Sequence, residues 1–549
     1  MDTLCQRAEH GLNYLNNNVD RRRGCLPFFS TMFKRDPAEN RHDWPDFGDL
    51  TGRYVESFVL ARRMLNLAQP GEVENAVRKL LISYFNEGDG LSYRPKPDKP
   101  YYSTILRQPY DAHVAEGFDQ ARVLWALLTW YEDTRDPAVL RRLQELVDGL
   151  YRVMVKRDGY GYYDRPTFTP GLVVDQDAPP MPHQFYFSGT QIHPLIECAK
   201  RLGLERAREM AVRLTNYIVD HSTYFRPDGE WHCPGKEGQE WESGLLDGHT
   251  HSRFATIAGI ATLGVAENRS DLVAFAKRAY DWFAANHCSS FGWSPEFLGR
   301  YGDDNEGCET CAVMDQINSA LALAEAGHLE YYEKAERIAR NQLMANQLLD
   351  TRLVRNTVER EDTELSCFHN VADMVRGGFA GWAGPNDFIG NCDLHYCLMN
   401  CCGPAGVRAL HDIWANVCRR DGDQLRLHIL MDRDDPTLTL HHAQPAAGQL
   451  TVTAKTNCSL SLLPRSWWRI ETLRCAIDGK PRTVATDGPY LDLGRLAAGD
   501  QLTLQYDLPE TDEPVHVNGR DYTVTWRGET VVAIDPPGTI MPFYTDRRV

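Results

Sequence analysis

The sequence lacks an excess of basic residues. Across 549 residues, 59 lysines and arginines face 76 aspartates and glutamates, which leaves a formal net charge of −17. Because phosphate backbones and anionic lipid surfaces are bound by a basic face, this balance argues against nucleic acid and against an anionic membrane as partners. The chain also lacks any run approaching the roughly 18 apolar residues of a transmembrane helix. Its first residues contain no apolar stretch of the kind found in a secretory signal, so we expect a cytoplasmic protein.

Evidence for a disulfide framework is also missing. The chain contains fifteen cysteines, and an odd number in a chain without an export signal favours free thiols or metal ligands. Most of them are expected to be buried in the core. Hydrophobic residues make up 42% and charged residues 25%, which is ordinary for a globular protein and argues against disorder.

Helical periodicity runs through the first three-quarters of the sequence. Asp136 and Pro137 have the residue types of an N-cap and a first helical position, and apolar residues then recur at helical spacing from Leu140 to Leu150. Such segments come in pairs joined by short links, which favours antiparallel hairpins. The clear pairs span residues 50–67 with 71–87, 118–134 with 137–155, 190–203 with 205–220, 249–267 with 269–286, and 309–327 with 330–347.

Five clear pairs, with a sixth formed by the outer helices, predict an (α/α)6 barrel and a mainly α fold. The links between pairs are long and rich in aromatic residues, proline and glycine, so we expect them to gather at one mouth and build a site. A solenoid of helical hairpins is the alternative, but the sequence has no fixed period to support it.

The pattern changes near residue 420, where alternating apolar residues replace helical spacing. Leu438 and Leu440 alternate with threonines, as do Val452 and Ala454, and turn signals such as Asn518-Gly519 separate these runs. This pattern predicts a β-sandwich. We therefore divide the chain into a barrel domain at residues 1–420 and a β-sandwich domain at residues 421–549.

A glutamate and three cysteines offer a possible metal site. Glu309 and Cys311 are two residues apart, and Cys401 and Cys402 are adjacent some ninety residues later. Three thiolates and a carboxylate can complete a four-coordinate zinc shell, although this set lacks the paired Cys-x-x-Cys rhythm of common zinc sites. A closed shell of four protein ligands is ordinarily structural, so a structural zinc site and buried core cysteines both remain open.

The motifs around these residues resemble those of glycoside hydrolase family 127, the zinc-thiolate β-L-arabinofuranosidases and their relatives. The resemblance covers most of the helical region and rests on Ile192-His193-Pro194-Leu195, Gly248-His249, Glu309-Thr310-Cys311, Glu336-Arg337 and Cys401-Cys402-Gly403-Pro404. It implies a retaining glycosidase in which Cys401 is the nucleophile. Glu309, Cys311 and Cys402 would hold Zn²⁺ together with Cys401, and the metal would keep the attacking thiol ionised.

The resemblance also implies a glutamate that acts as acid and base. Glu296 lies thirteen residues before Glu309 and is the favoured candidate, whereas Glu306 competes with it from only three residues away. His193 and His249 are expected to line the mouth and bind sugar hydroxyls, with His251 as the alternative to His249. Glu336 is expected to bind a hydroxyl or orient a group of the site, although it is also a candidate for a helix-surface ion pair with Arg337 or Arg340.

One departure from the family pattern concerns the substrate. The family has a further Gly-His at an earlier inner helix, where this chain has Ala121-Arg122 in an ungapped comparison. An inward-facing Arg122 can bind a sugar carboxylate with two hydrogen bonds, which suggests an acidic sugar in place of plain arabinofuranose. An ordinary surface arginine is the alternative interpretation.

We therefore expect an exo-glycosidase that releases a terminal furanosidic sugar, β-L-arabinofuranose-like or acidic. The expected partners are an oligosaccharide or glycoside substrate and, as an alternative to a monomer, a second copy of the chain. Two other functions remain open. One is a sugar epimerase or isomerase on the same barrel, with paired histidines such as His193 and His249, and the other is a non-catalytic carbohydrate-binding protein with structural zinc.

Overall fold

The computed structural model describes residues 2–43, 46–96, 101–103, 108–110, 113–233, 248–298, 306–391, 395–545 and 547. Most of the helices lie before residue 420. The α-helices of the described residues are α1 Leu4–Asn17, α2 Asp49–Met64, α3 Glu72–Ser83, α4 Gly117–Thr134, α5 Pro137–Val153, α6 Thr190–Leu202, α7 Glu205–Asn216, α8 Thr250–Ala266, α9 Ser270–His287, α10 Thr310–Glu325, α11 Glu330–Ile338, α12 Val371–Val375 and α13 Cys402–Val417. Single π-helical turns occur at Phe185–Gly189, Tyr217–His221 and Ala339–Leu343.

Local sequence signals account for where these helices begin. At the start of α5, the Asp136 side chain accepts a hydrogen bond from the amide of Ala138 at 2.8 Å, and Pro137 takes the first helical position. Leu143 and Leu150 then lie on the buried face of the helix. The predicted cap and apolar stripe are therefore both confirmed.

Six inner helices form a closed ring. Contacts run from α2 to α4, α6, α8, α10, α13 and back to α2, and each inner helix has an outer partner in α3, α5, α7, α9, α11 or α1. The N-terminal helix α1 thus completes the last pair by packing on α13. The predicted (α/α)6 barrel is confirmed, including a sixth pair built from the two ends of the helical region.

Close approach of the inner helices leaves little room between them. A Cβ atom placed on Gly259 of α8 would lie 2.7 Å from the backbone nitrogen of His193 in α6. Every residue of α8 from Thr250 to Gly264 is buried. Because such helices are enclosed on all sides, their polar side chains must find partners inside the barrel.

Short strands accompany the barrel and connect its loops. They are β1 Val19–Asp20, β2 Leu26–Pro27, β3 Ser30–Met32, β4 Glu39–Arg41, β5 Tyr101–Ser103, β6 Gln108–Tyr110, β7 Ala115–Glu116, β8 Val155–Lys156, β9 Gly161–Tyr162, β10 Thr167–Phe168, β11 Ser366–Cys367 and β12 Cys397–Met399. Strand β12 pairs with β3, and the amide of Asn400 donates to the carbonyl of Phe29 at 2.6 Å. These bonds fix the backbone immediately before Cys401.

Strands dominate the chain after α13. They are β13 Cys418–Asp421, β14 Gln424–Leu427, β15 Arg433–Asp434, β16 Leu438–His442, β17 Gln449–Ala454, β18 Cys458–Leu462, β19 Arg474–Ile477, β20 Lys480–Arg482, β21 Ala485–Asp487, β22 Tyr490–Leu496, β23 Gln501–Gln505, β24 Glu510–Val517, β25 Arg520–Arg527 and β26 Thr530–Asp535. They form sheets ordered β13-β14-β18-β22-β21, β15-β16-β17-β23-β19-β20 and β24-β25-β26.

Alternate residues of the two larger sheets are buried in one core. Leu440 on β16 and Val452 on β17 come from one sheet, and Leu460 on β18 and Leu493 on β22 come from the other. The predicted sandwich is confirmed, with β24-β25-β26 as an additional sheet. The division of the chain into domains at residue 420 stays a prediction. No helix among the described residues combines the length and the apolar character needed to cross a membrane.

Candidate metal centre and active site

Four side chains meet at the barrel mouth, where two inner helices begin. Glu309 is the N-cap of α10 and Cys311 lies in its first turn. Cys401 is the N-cap of α13 and Cys402 is its first residue. One ligand atom from each of these four residues lies within 4.8 Å of the other three. The structure therefore brings together the whole set that was predicted to bind metal.

The dimensions of this cluster suit a four-coordinate metal ion. The sulfurs of Cys311 and Cys402 are 3.8 Å apart, and Oε1 of Glu309 lies 3.7 Å from the sulfur of Cys401 and 3.9 Å from that of Cys402. A tetrahedral site with metal–sulfur bonds of about 2.3 Å needs sulfur–sulfur edges of about 3.8 Å. Three thiolates and one carboxylate are also a donor set that zinc accepts.

The buried thiols of this cluster need a nearby positive charge to be ionised at neutral pH. Burial raises the pKa of Cys311 and of Cys402 far above the ordinary thiol value. For Cys401, contact with Cys311 lowers the pKa, but contact with Cys402 and burial raise it, and the net shift is well upward. A bound divalent metal supplies the positive charge that stabilises thiolates at neutral pH.

Glu309 has one carboxylate oxygen toward the sulfurs and the other toward a histidine. Burial alone would raise its pKa, but contact with His249 and the proximity of His251 hold it at about 2. The distance from Oε2 of Glu309 to Nε2 of His249 is 3.7 Å. Two helix N-termini that begin beside this carboxylate also favour its anionic form.

Glu296 lies on the same side of the cluster as His249. One oxygen of Glu296, one nitrogen of His249 and one oxygen of Glu309 all lie within 4.8 Å of one another. Backbone bonds hold the Glu296 segment against the start of α8, because the Glu296 carbonyl accepts from the Thr250 amide at 2.9 Å. The indole nitrogen of Trp382 donates to the Glu296 carboxylate. Glu296 is 2% exposed.

Glu306, the competing acid/base candidate, is held by a different part of the chain. Its amide donates to Oδ1 of Asn518 at 3.1 Å, and its carbonyl accepts from Nδ2 of the same residue at 2.9 Å. Among the described residues, the carboxylate that groups with His249 and Glu309 is Glu296. The geometry therefore favours Glu296.

His249 occupies the mouth as predicted. It is the N-cap residue of α8, and its Nδ1 lies 2.7 Å from the hydroxyl of Ser252. The rings of Tyr186 and Phe297 flank it at centroid distances of 5.4 and 4.9 Å. Nδ1 therefore has a protein partner, and Nε2 points toward Glu309.

His193 lies much deeper than predicted. Its backbone nitrogen is level with Gly259, which is ten residues past His249 in the sequence. At 1.5 Å per residue this places His193 about 15 Å from the mouth. The cause is the π-helical turn Phe185–Gly189, which extends the helical segment upstream of α6. The role of His193 at the mouth is corrected: its ring packs edge-on against Trp125, and burial lowers its pKa to about 4.

Arg122 points inward, but protein groups occupy it. It is buried, its Nη2 donates to Nε2 of His251 at 2.7 Å, and its Nε lies 3.6 Å from a carboxylate oxygen of Asp49. The guanidinium also lies over the ring of Phe118 at 4.8 Å. The hypothesis that Arg122 binds a sugar carboxylate is corrected accordingly, because these partners hold its guanidinium below the mouth.

Glu336 belongs to the contact between barrel and sandwich. Its Oε1 accepts from Arg340 at 2.8 Å, and its Oε2 accepts from Arg465 at 2.5 Å and from the amide of Leu430 at 2.7 Å. Burial would raise the pKa of Glu336, but the two arginines hold it at about 2. We therefore correct its predicted role in sugar binding. The expected partner Arg340 is confirmed, although the pair is buried and not on the surface.

Asp315 and Arg53 lie near the cluster and were not predicted from the sequence. His251 contacts the carboxylate of Asp315, and Arg53 reaches the sulfur of Cys311 at 3.6 Å. A usable signal was present, since Asp315 follows Cys311 by four residues and is the one charged residue between Cys311 and Ala324 of this inner helix. Charges inside such helices are rarely buried without a partner or a function.

Comparison with known proteins gives a likeness in fold. No protein-family model matches the sequence, and no curated protein matches it. A solved family 127 β-L-arabinofuranosidase from Geobacillus stearothermophilus T6 is 14% identical, with 88% of this chain and 76% of that chain covered and a TM-score of 0.60. A second family 127 β-arabinofuranosidase is 12% identical, with 96% and 78% covered and a TM-score of 0.61. The resemblance inferred from the motifs is thus confirmed at the level of the fold.

Metal binding can be tested by replacing one ligand at a time. We expect the purified protein to hold about one equivalent of metal per chain, and Cys402→Ser to lower the affinity at least tenfold because a hydroxyl is a poor substitute for a thiolate. Inductively coupled plasma mass spectrometry after dialysis against a weak chelator measures the content. Cys308→Ser is the matched control, since Cys308 is equally buried beside Glu309. Equal metal content in both variants would contradict the site.

The interdomain role of Glu336 predicts a pH-dependent loss of stability. Glu336→Gln should lower the free energy of unfolding at pH 7 by about 3 kcal/mol, because two buried guanidiniums lose their counter-ion. Since the pKa of Glu336 falls from its ordinary 4.5 to about 2 on folding, this contribution is present above pH 4.5 and disappears as the pH falls toward 2.

Urea unfolding of both proteins across pH 3–7 measures this difference. The two unfolding midpoints should converge in acid. Glu330→Gln, on the exposed side of the same helix, should match the wild type throughout. A difference that persists unchanged at pH 3 would contradict the ion-pair explanation.

Proposed function

We propose that this protein is a retaining glycosidase that uses Cys401 as its nucleophile and Glu296 as its acid and base. The observation that carries the proposal is the asymmetry of the cluster. Cys401 is 4% exposed, whereas Cys311 and Cys402 are fully enclosed. Glu296 and His249 also gather at one side of the cluster, beside Glu309. The likeness in fold to two solved family 127 arabinofuranosidases supports the same function.

The metal we propose is Zn²⁺, held by Glu309, Cys311, Cys401 and Cys402. When bound, it would keep the sulfur of Cys401 in the thiolate form at neutral pH. A purely structural zinc would not require an acid residue and a histidine beside the least enclosed of its cysteines. The grouping of His249, Glu296 and Glu309 therefore favours a catalytic site.

The reaction takes place in two steps. The Cys401 thiolate attacks the anomeric carbon and forms a C–S bond, while the C–O bond to the leaving group breaks and protonated Glu296 gives its proton to the departing oxygen. In the second step the Glu296 carboxylate takes a proton from water. The water oxygen bonds to the anomeric carbon, the C–S bond breaks, and the thiolate of Cys401 is restored.

The neighbouring residues fit the binding of one terminal sugar. His249 presents Nε2 at the mouth because Ser252 engages its Nδ1. The ring of Tyr186, which is stacked on Phe118 with centroids 4.5 Å apart, supplies a flat surface for the apolar face of a sugar. The indole of Trp382 orients the carboxylate of Glu296. Glu296 thereby keeps one position for both proton transfers.

We propose a terminal furanosidic sugar of the β-L-arabinofuranose type as the substrate. Of the family 127 structures that resemble this chain, one is named a β-L-arabinofuranosidase and the other a β-arabinofuranosidase. The acidic alternative depended on Arg122, whose guanidinium already contacts His251 and Asp49. A neutral sugar therefore suits the site better than an acidic one.

The other two functions have less support. An epimerase with paired histidines needs His193 near His249, but Gly259 sets His193 about 15 Å deeper. A binding protein with structural zinc does not account for the grouping of His249 and Glu296 beside Glu309. Both stay testable through the same variants.

Replacing the proposed nucleophile tests the function directly. Cys401→Ser should abolish hydrolysis of aryl furanosides, because an alcohol without the thiolate's charge is a much weaker nucleophile. In the wild type, a cyclophellitol-type or haloacetamide sugar probe should attach to Cys401, as peptide mass spectrometry can show. Cys397→Ser, which removes a cysteine of the same 4% exposure, should keep activity and labelling. Full activity in Cys401→Ser would refute the mechanism.

The acid/base assignment predicts a dependence on the leaving group. Glu296→Gln should lower kcat by about 10²–10⁴ for alkyl glycosides, which need protonation to depart. The loss should be much smaller for p-nitrophenyl glycosides, whose leaving group departs as an anion. Steady-state kinetics on the two substrate series measures this. Glu306→Gln is the control, and the assignment reverses if Glu306→Gln shows the leaving-group dependence instead.

A further inference from the structure

Arg53 is a buried arginine that contacts one metal-ligand sulfur. It lies in the second turn of α2, where it is 4% exposed. Its Nη1 donates to the sulfur of Cys311 at 3.6 Å, its Nε donates to Asp49 at 2.6 Å, and its Nη2 lies 3.1 Å from Nε2 of His251. Each of its three nitrogens therefore has a partner, which fixes the orientation of the guanidinium.

The contacts of His251 determine which of its two ring nitrogens carries the proton. Its Nε2 is approached by Arg53 and, at 2.7 Å, by Nη2 of Arg122. Guanidinium groups only donate, so Nε2 must be the unprotonated, accepting nitrogen of the ring. The proton then lies on Nδ1, which faces the carboxylate of Asp315. His251 is consequently locked in one tautomer, with Asp315 on one side and two arginines on the other.

We infer that Arg53 is a positioning residue that caps the sulfur of Cys311 and, because Cys402 is fully enclosed, leaves Cys401 as the sulfur that attacks substrate. The inference rests on the proposed function for the identity of the attacking group. Three thiolates and Glu309 outnumber the charge of a divalent cation by two, and the barrel encloses them. A guanidinium in contact with one thiolate withdraws electron density from that sulfur and stabilises it as a spectator ligand.

The neighbouring arginine provides a matched comparison. Arg122 is as buried as Arg53 and donates to the same nitrogen of His251. It also lies near the same carboxylate, that of Asp49. Among the described residues, however, Arg53 is the arginine that contacts the sulfur of Cys311. The two residues therefore separate the effect of a buried cation from the effect of a hydrogen bond to sulfur.

Replacing the metal with Co²⁺ allows the contact between Arg53 and the sulfur of Cys311 to be detected without measuring enzymatic activity. In the Co²⁺-loaded protein, a hydrogen bond to a ligand thiolate lowers the energy of its lone pairs, which moves the thiolate-to-cobalt charge-transfer band to shorter wavelength. We expect Arg53→Met to move this band to longer wavelength and to weaken metal binding by about tenfold or more. Arg122→Met should leave the band at the wild-type position, whatever it does to the unfolding midpoint.

A conservative variant covers the case in which Arg53→Met does not fold. The lysine of Arg53→Lys keeps a cation near Asp49 but has no second nitrogen that can donate to the sulfur of Cys311. This variant should therefore shift the charge-transfer band in the same direction with a smaller loss of stability. An unchanged band in the Arg53 variants, or an equal shift in Arg122→Met, would overturn the inference. Because these readouts need no substrate, they stand apart from the Cys401→Ser assay, whose failure would remove the proposed function but not a measured sulfur contact.

Discussion

Every inner helix of the barrel begins at the same mouth, and this shared polarity is the constraint on which the site depends. A helix N-terminus carries unpaired amide groups and a partial positive charge, which attract anionic side chains. Glu116, His249, Glu309 and Cys401 are the N-cap residues of four of these helices, and Asp49 is the first residue of another. The ring thus concentrates acidic and thiol side chains at one mouth, where the helix N-termini offset part of the cost of burying their anionic forms.

The enclosure of the inner helices also determines how charged side chains are arranged below the mouth. Helices that are buried on every side cannot send charged side chains to water, so the charges pair across the barrel. Arg53 pairs with Asp49 on its own helix, whereas His251 meets Asp315 across two helices. Arg408 reaches Glu56 one layer deeper. Removing one member of such a pair leaves an uncompensated charge, which makes this layer a rigid support for the ligands above it.

The fold was largely predictable because its signals are local. Caps such as Asp136, apolar stripes and the change of period near residue 420 each involve a few adjacent residues, and the closed ring follows from pairing them. The grouping of the four candidate ligands was also predictable, because a motif comparison joins Glu309 and Cys311 to Cys401 and Cys402 without knowledge of the packing.

What the sequence could not reveal depends on depth and on distant partners. Because of the π-helical turn Phe185–Gly189, His193 lies deeper in the barrel than predicted, and no local residue pattern predicts such a turn. Glu336 was misread because its partner Arg465 lies 129 residues away in another part of the fold. Arg53 and Cys311 are separated by 258 residues, so their contact becomes visible only once the ring is closed.

The pairing of the first helix with the last inner helix has a consequence for biosynthesis. Val407 of α13 lies against Gly11 of α1, and the ring of Tyr14 lies against Gly403. As the ribosome releases the chain from its N-terminus, α1 must wait for its partner until more than three-quarters of the polypeptide has emerged. Until then Cys401 and Cys402 are missing beside Cys311, and the candidate ligand set is incomplete. A metal that needs all four candidate ligands can therefore be held only after the chain has grown past Cys402, and a product truncated before that residue would lack the complete set.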